Sequence, residues 1–123
     1  MKIVIVGNGK VGFSLAEQLV REKYDVVIVD LREDTLRRAA DALDIMSVKG
    51  NGISAATLIE AGAPDADLLV AATNSDEINM VCCLTAKHLG AKYAIARIRN
   101  PEYNTGLSDC LLYTSPSPRD YAA

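Results

Sequence analysis

Three glycines spaced as G-x-G-x-x-G, at Gly7, Gly9 and Gly12, lie between an apolar run and a segment of helical period, and Asp30 closes the next apolar run. That spacing suits a diphosphate. Gly7 permits a tight turn out of a strand, Gly9 lets the backbone approach phosphate oxygens because no Cβ intervenes, and Gly12 lets the following helix lie close to the sheet. A helix beginning there presents unpaired N–H groups and the positive end of its dipole, and both favour an anion. The intervening Asn8, Lys10 and Val11 belong to the same loop and to the candidate site.

The carboxylate of Asp30 is suited to accept hydrogen bonds from the ribose hydroxyls of an adenosine, and Leu31 follows it directly. A 2'-phosphate placed there would meet like charge, a repulsion of at least a few kcal/mol at short range, so NAD is favoured over NADP. Arg32 tempers that preference. Three glycines alone mark no more than a turn, and a lone aspartate no more than a strand end. Strand, glycine loop, helix, second strand and terminal acid in one unit carry the nucleotide-binding interpretation.

These residues need a scaffold that brings distant loops to one edge. Apolar, β-branched runs recur at 3–6, 26–29, 45–48, 68–72 and 93–98, each predicting a strand. The first two are apolar at consecutive positions, as in a sheet covered on both faces. Between the runs, Val11, Leu15, Leu19 and Val20 share one helical face, and Leu36, Ala39, Ala40 and Leu43 share another. A shorter helix is expected over 53–61. A fourth begins at Asp76 or just before it, capped by Ser75 or Asn74, and runs through Met80, Leu84 and Lys87 to a stop at Gly90. Asp76 and Glu77 in its first turn suit the helix dipole. Alternating strands and helices with right-handed crossovers predict an α/β, Rossmann-like doubly wound parallel sheet of order 3-2-1-4-5.

In such a sheet, ligands bind outside the carboxyl ends of the strands, which adds candidates. Gly50, Asn51 and Gly52 follow the third strand, where Asn51 either pairs with an adenine edge or closes a turn. Thr73, Asn74 and Ser75 follow the fourth, facing the nicotinamide half or capping the next helix. Arg97 and Arg99 close the fifth, reaching either a phosphate or the carboxylates of Asp76 and Glu77.

Bulk properties limit the alternatives. The 123 residues, half of them apolar, suffice for one core. Net charge is -3 and the basic residues are scattered, which argues against nucleic acid as a partner. No run reaches the roughly twenty apolar residues needed to cross a bilayer, and the opening apolar run is too short for a signal peptide, so a soluble cytoplasmic domain is expected. Three cysteines, with Cys82 and Cys83 adjacent, give neither a disulfide framework nor a metal-binding spacing, and His88 has no second ligand beside it. We expect ordinary buried or half-buried thiols and no metal site. Residues 1–105 read as one domain. Beyond them LSDCLLYTSPSPRDYAA loses all periodicity, so 106–123 is expected to be an irregular tail, disordered or non-native, that leaves the domain truncated.

Neither a Ser/His/Asp set nor paired carboxylates fall on the nucleotide edge, which favours binding without turnover. The segments MKIVIVGNGKVGFSLAEQLV, VVIVD, KGNG, DADLLVAATNSDEINM and IARIRNPEY resemble the N-terminal nucleotide-binding domain of the Trk potassium-uptake regulatory proteins, within the RCK (KTN) class. The resemblance covers about residues 1–105 and is most specific at ATNSDEINM and ARIRNPEY. It implies a regulatory subunit that is cytoplasmic and peripheral to the inner face of the cell membrane. Such a subunit binds NAD (NADH), with ATP or ADP competing at the same site in some members, and gates a membrane-embedded potassium transporter. By position it surrounds the nucleotide with the glycines, Asp30, Asn51, Thr73, Asn74 and Arg97, and it implies a homo-oligomer in the full-length protein. The rival interpretations are a fragment of an NAD-dependent oxidoreductase and an ATP-selective sensor.

Overall fold

The computed structural model describes residues 1–103. The domain boundary expected at 105 and the irregular tail expected over 106–123 lie outside the described residues. Five strands, β1 (Lys2–Val6), β2 (Asp25–Asp30), β3 (Met46–Lys49), β4 (Leu68–Ala71) and β5 (Tyr93–Ala96), alternate with helices α1 (Lys10–Arg21), α2 (Glu33–Ala42), α3 (Ala55–Glu60) and α4 (Asp76–Leu89). The strands form one parallel sheet in the order β3-β2-β1-β4-β5, the order expected from the sequence.

The consecutive apolar residues of β1 and β2 follow from strand geometry, because successive side chains point to opposite faces and both faces are covered. Ile3, Ile5, Val26 and Ile28 pack with Ala16 of α1 and with Leu36 and Ala39 of α2. Val4, Val6, Val27, Val29 and Leu69 pack on the other face with Leu58 of α3 and with Cys82, Cys83 and Ala86 of α4. Removing these side chains from water, at about 25 cal/mol per Å² of apolar area, is the main force holding helices to sheet.

Several expected details differ. Val11 is exposed, because α1 turns Gly12 and Ala16 inward and packs Phe13, Leu15, Leu19 and Val20 beside them. Ala40 is also exposed, since α2 buries Thr35, Leu36 and Ala39 instead. The third strand begins at Met46 rather than at residue 45, and as a sheet edge it buries only Val48. The third helix is shorter than expected, because Ser54 caps it by accepting the Thr57 N–H. A 3-10 turn over Ala63–Asp65, unanticipated from the sequence, precedes β4. The last ladder pair of the fifth strand joins Ala71 to Ala96, short of the expected 98. The fourth helix is as expected, with Ser75 as its cap and Gly90, at φ 123°, as its stop.

Candidate nucleotide-binding site

The carboxyl ends of β1, β2, β3 and β4 open into a cleft of about 220 Å³, lined by Gly7, Asp30, Leu31, Arg32, Asn51, Thr73 and Asn74 among others. Arg32 also borders a hollow of about 430 Å³ beside Asn8, Gly9 and Lys10, at the start of α1. The second falls within the size range of ordinary ligand sites, which the first alone does not reach.

The glycine loop is built as its spacing requires. Gly7 has φ 105°, and a Cβ there would lie 2.9 Å from the backbone of Ala72 and of Thr73. Its N–H donates to Val29 O at 2.7 Å, fixing the turn to β2. A Cβ on Gly12 would collide with the carbonyl oxygen of Gly7, so only glycine lets α1 start this close to β1. Gly9 is different: nothing lies within 4 Å of a Cβ built there. It is also the N-cap of α1 and makes no side-chain cap, so the first-turn amides, including those of Lys10 and Val11, are left for an anion.

Asp30 does more than the sequence suggested. Its Oδ2 accepts the Asn8 N–H and its Oδ1 the Arg32 N–H, each at 2.8 Å, while the Arg32 Nε lies 3.6 Å from Oδ1. The carboxylate therefore fastens the glycine loop to the end of β2 before any ligand arrives. Each oxygen keeps a further lone pair for a ribose hydroxyl. Leu31 beside it is exposed and lines the cleft. The Asn8 side chain donates from Nδ2 to Thr35 O at 2.7 Å, which leaves its buried Oδ1 without a partner. An acceptor orphaned in the glycine loop, open space at Gly9 and spare lone pairs on Asp30 fit a hydroxyl-rich phosphate ligand such as a dinucleotide.

At Asn51 and at the β4 exit the structure shows the turn and the helix cap, both beside the cleft. Asn51 closes a turn by accepting the Ile53 N–H at 3.1 Å, and it lines the cleft. Ser75 caps α4 by accepting the Ile78 N–H, while Thr73 and Asn74 face the cleft. The arginines behave otherwise. Arg97 is not among the residues lining the cleft; its backbone N–H donates to Ala71 O and its carbonyl accepts from Asn79 at the β5 exit. Arg99 donates from Nη2 to Asn74 O at 2.6 Å. Asp76 is met by the backbone N–H groups of Arg99 and Asn100, at 3.0 and 2.9 Å. Those amides, followed by nearby guanidinium charge, hold the Asp76 carboxyl below its usual range. Tyr103 bonds to Glu77, which raises its phenol.

Asn79, fully buried on α4, is not among the residues that motif and spacing single out. Its signal was present: it shares a helical phase with Cys82, Cys83 and Ala86, so a polar residue stood on an otherwise apolar face. Burial pushes both thiols up to about 12, so neither is a nucleophile. Among the described residues no group of three or more His, Cys, Asp or Glu side chains could hold a metal ion, and no helix is long and apolar enough to cross a membrane.

A parallel sheet of this order, with a glycine turn after β1 and a carboxylate closing β2, defines a Rossmann-type nucleotide-binding domain. The family model of the TrkA-N domain matches residues 3–112, and the chain belongs to that family. It is 50% identical over 104 residues to the Trk system potassium uptake protein TrkA of Vibrio alginolyticus, a match covering 84% of this chain and 23% of that relative. The chain thus spans about a quarter of that relative's length. Among solved structures it is similar to the TrkA-N domain of inner membrane protein ybaL from Escherichia coli, with a TM-score of 0.80 and 17% identity over 88% of this chain and 80% of the other. It is also similar to the GsuK channel bound to NAD, with a TM-score of 0.75 and 23% identity over 87% of this chain and 19% of the other. At such identities these two structures speak for the fold alone.

Proposed function

We propose that this chain is the nucleotide-binding part of a regulatory subunit for potassium uptake, and that it binds NAD(H) without turning it over. ATP and ADP compete for the same cleft. The observation that carries the proposal is the glycine turn held to Asp30, with open space at Gly9. Gly7 shapes the turn under the ligand, and Gly9 and the first amides of α1, from Lys10 to Gly12, bind the diphosphate. Asp30 accepts from the adenosine ribose, Asn8 offers an acceptor at the loop, Leu31 and Asn51 border the adenine half, and Thr73 and Asn74 border the second nucleoside.

The relatives named for potassium uptake support the regulatory role. Binding at such a cleft regulates only if the ligand has different affinities for two states of the assembly. The full-length protein is then a homo-oligomer at the cytoplasmic face of the membrane, docked on a transporter subunit. Calorimetric titration with NADH, NAD and ATP tests the binding. Saturable heats for NADH that ATP suppresses are expected, and silence at millimolar NADH contradicts it. Reduction of NAD with any of a broad panel of alcohols and hydroxy acids would favour an oxidoreductase instead.

A further inference from the structure

Asn79 has no exposed surface, yet all its side-chain bonds go to the two loops that leave β4 and β5. Its Oδ1 accepts the Thr73 N–H at 2.9 Å and the Thr73 hydroxyl at 2.7 Å. Its Nδ2 donates to Thr73 O at 3.2 Å and to Arg97 O at 2.8 Å. The amide orientation is fixed by these partners, because a flipped amide would aim Nδ2 at an N–H donor and Oδ1 at two carbonyls. A buried amide with this many bonds is costly to disturb.

The consequence falls on Thr73, which lines the cleft. Its hydroxyl proton has a nearer acceptor in Asn79 Oδ1 than in Ser75 O, at 2.7 against 3.2 Å, and the same oxygen takes its backbone N–H. The Thr73 hydroxyl also accepts the Ser75 N–H at 3.2 Å. Both donors of Thr73 are therefore used, and what remains to it is acceptor capacity. Phosphate oxygens need donors, whereas ribose hydroxyls and a carboxamide N–H need acceptors. The positive end of α4 would otherwise attract an anion here, but Asp76 and Glu77 occupy its first turn.

We infer that Asn79 is a positioning residue that sets the specificity of the β4 end of the cleft: by drawing both Thr73 protons inward, it makes that end accept the second nucleoside of a dinucleotide and disfavour a terminal phosphate. The inference rests on the nucleotide-binding reading above.

The test is titration of the chain with NADH, ADP-ribose and AMP. AMP fills only the adenosine half and serves as the internal control. Thr73→Val, which removes the hydroxyl and leaves the buried amide in place, is expected to weaken NADH and ADP-ribose about five- to tenfold, the effect of one hydrogen bond, with AMP unaltered. Thr73→Ser restores most of the loss. Asn79→Asp turns a carboxyl oxygen onto Thr73 O and Arg97 O and must hold a proton to stay bonded there. Its NADH affinity is expected to fall as the pH is raised from 6 to 8, while AMP affinity stays level. Equal losses for AMP and NADH in either variant would make Asn79 merely structural and overturn the inference, as would wild-type NADH affinity in Thr73→Val. A parent chain that bound neither AMP nor NADH would instead defeat the nucleotide reading itself, and the inference with it.

Discussion

Substituting alanine at Gly12 and at Gly9 separates what the glycine loop does for the fold from what it does for the ligand. At Gly12 the new Cβ collides with the Gly7 carbonyl oxygen and lies 2.9 Å from its carbon. Both are backbone atoms of a turn held to β2, so relief requires α1 to move off the sheet. Overpacking of this kind costs about 1–3 kcal/mol, and rigid backbone obstacles place it at the upper end. Alanine's better helix propensity returns up to about 1 kcal/mol. The net loss is about 2 kcal/mol, a fall in Tm of roughly 8–16 °C for a domain this small. At Gly9, where a Cβ meets nothing within 4 Å and φ is -84°, stability should change by less than about 0.5 kcal/mol. NADH affinity should nevertheless fall at least about tenfold, because the Cβ occupies the space through which phosphate approaches the backbone. Urea unfolding and NADH fluorescence titration of both variants read the two quantities separately. A Gly12→Ala protein of parental stability, or a Gly9→Ala protein that binds NADH as the parent does, would refute the reasoning.

Three further outcomes are expected. Asp30→Ala should weaken AMP and NADH alike by roughly 1–3 kcal/mol and also lower stability, since the Asn8 and Arg32 amides lose their acceptor; calorimetry and urea unfolding read both effects, and unchanged AMP affinity would remove Asp30 from the site. Because the Asp76 carboxyl is held below its usual range in the folded chain, its contribution is present above the ordinary carboxylate range and lost as the pH falls through its lowered value. Amide exchange at Arg99 and Asn100 should therefore quicken on acidification relative to other amides, and Asp76→Asn should remove that pH dependence. Cys82 and Cys83, with thiols pushed up to about 12, should resist iodoacetamide at pH 8 until the chain is unfolded, and peptide mapping that finds either alkylated in the native state would contradict their burial.

What was legible in the sequence was what short-range pattern controls. The five strands and their order follow from β-branched runs alternating with helical periods, and the roles of Gly7 and Gly12 follow from where a turn and a close approach must fall. Less legible was anything decided by a distant partner. Val11 continues the apolar phase of its helix, yet its position on the first turn leaves it exposed. Residue 45 stays outside the third strand because β3 pairs only with β2, and that ladder begins at Met46. Asp30 was recognisable as an acid at a strand end, but its grip on the Asn8 amide depends on how the loop folds back. By position Arg97 reads as reaching either a phosphate or the carboxylates of Asp76 and Glu77, and what local pattern does not give is that its backbone is bonded to Ala71 and Asn79. Asn79 itself was visible only as a polar residue in an apolar phase, and its partners lie on loops that local pattern does not bring together.

The most direct test of the nucleotide cleft is to follow the backbone amide resonances of the isotopically labelled chain while NADH is added. Resonances of Gly7, Gly9, Lys10, Leu31, Asn51, Thr73 and Asn74 should move together along one saturation curve, while those of Lys23 and Tyr24, at the opposite end of the sheet, stay in place. Unmoved loop resonances at millimolar NADH, or shifts gathered at that opposite end, would contradict the account.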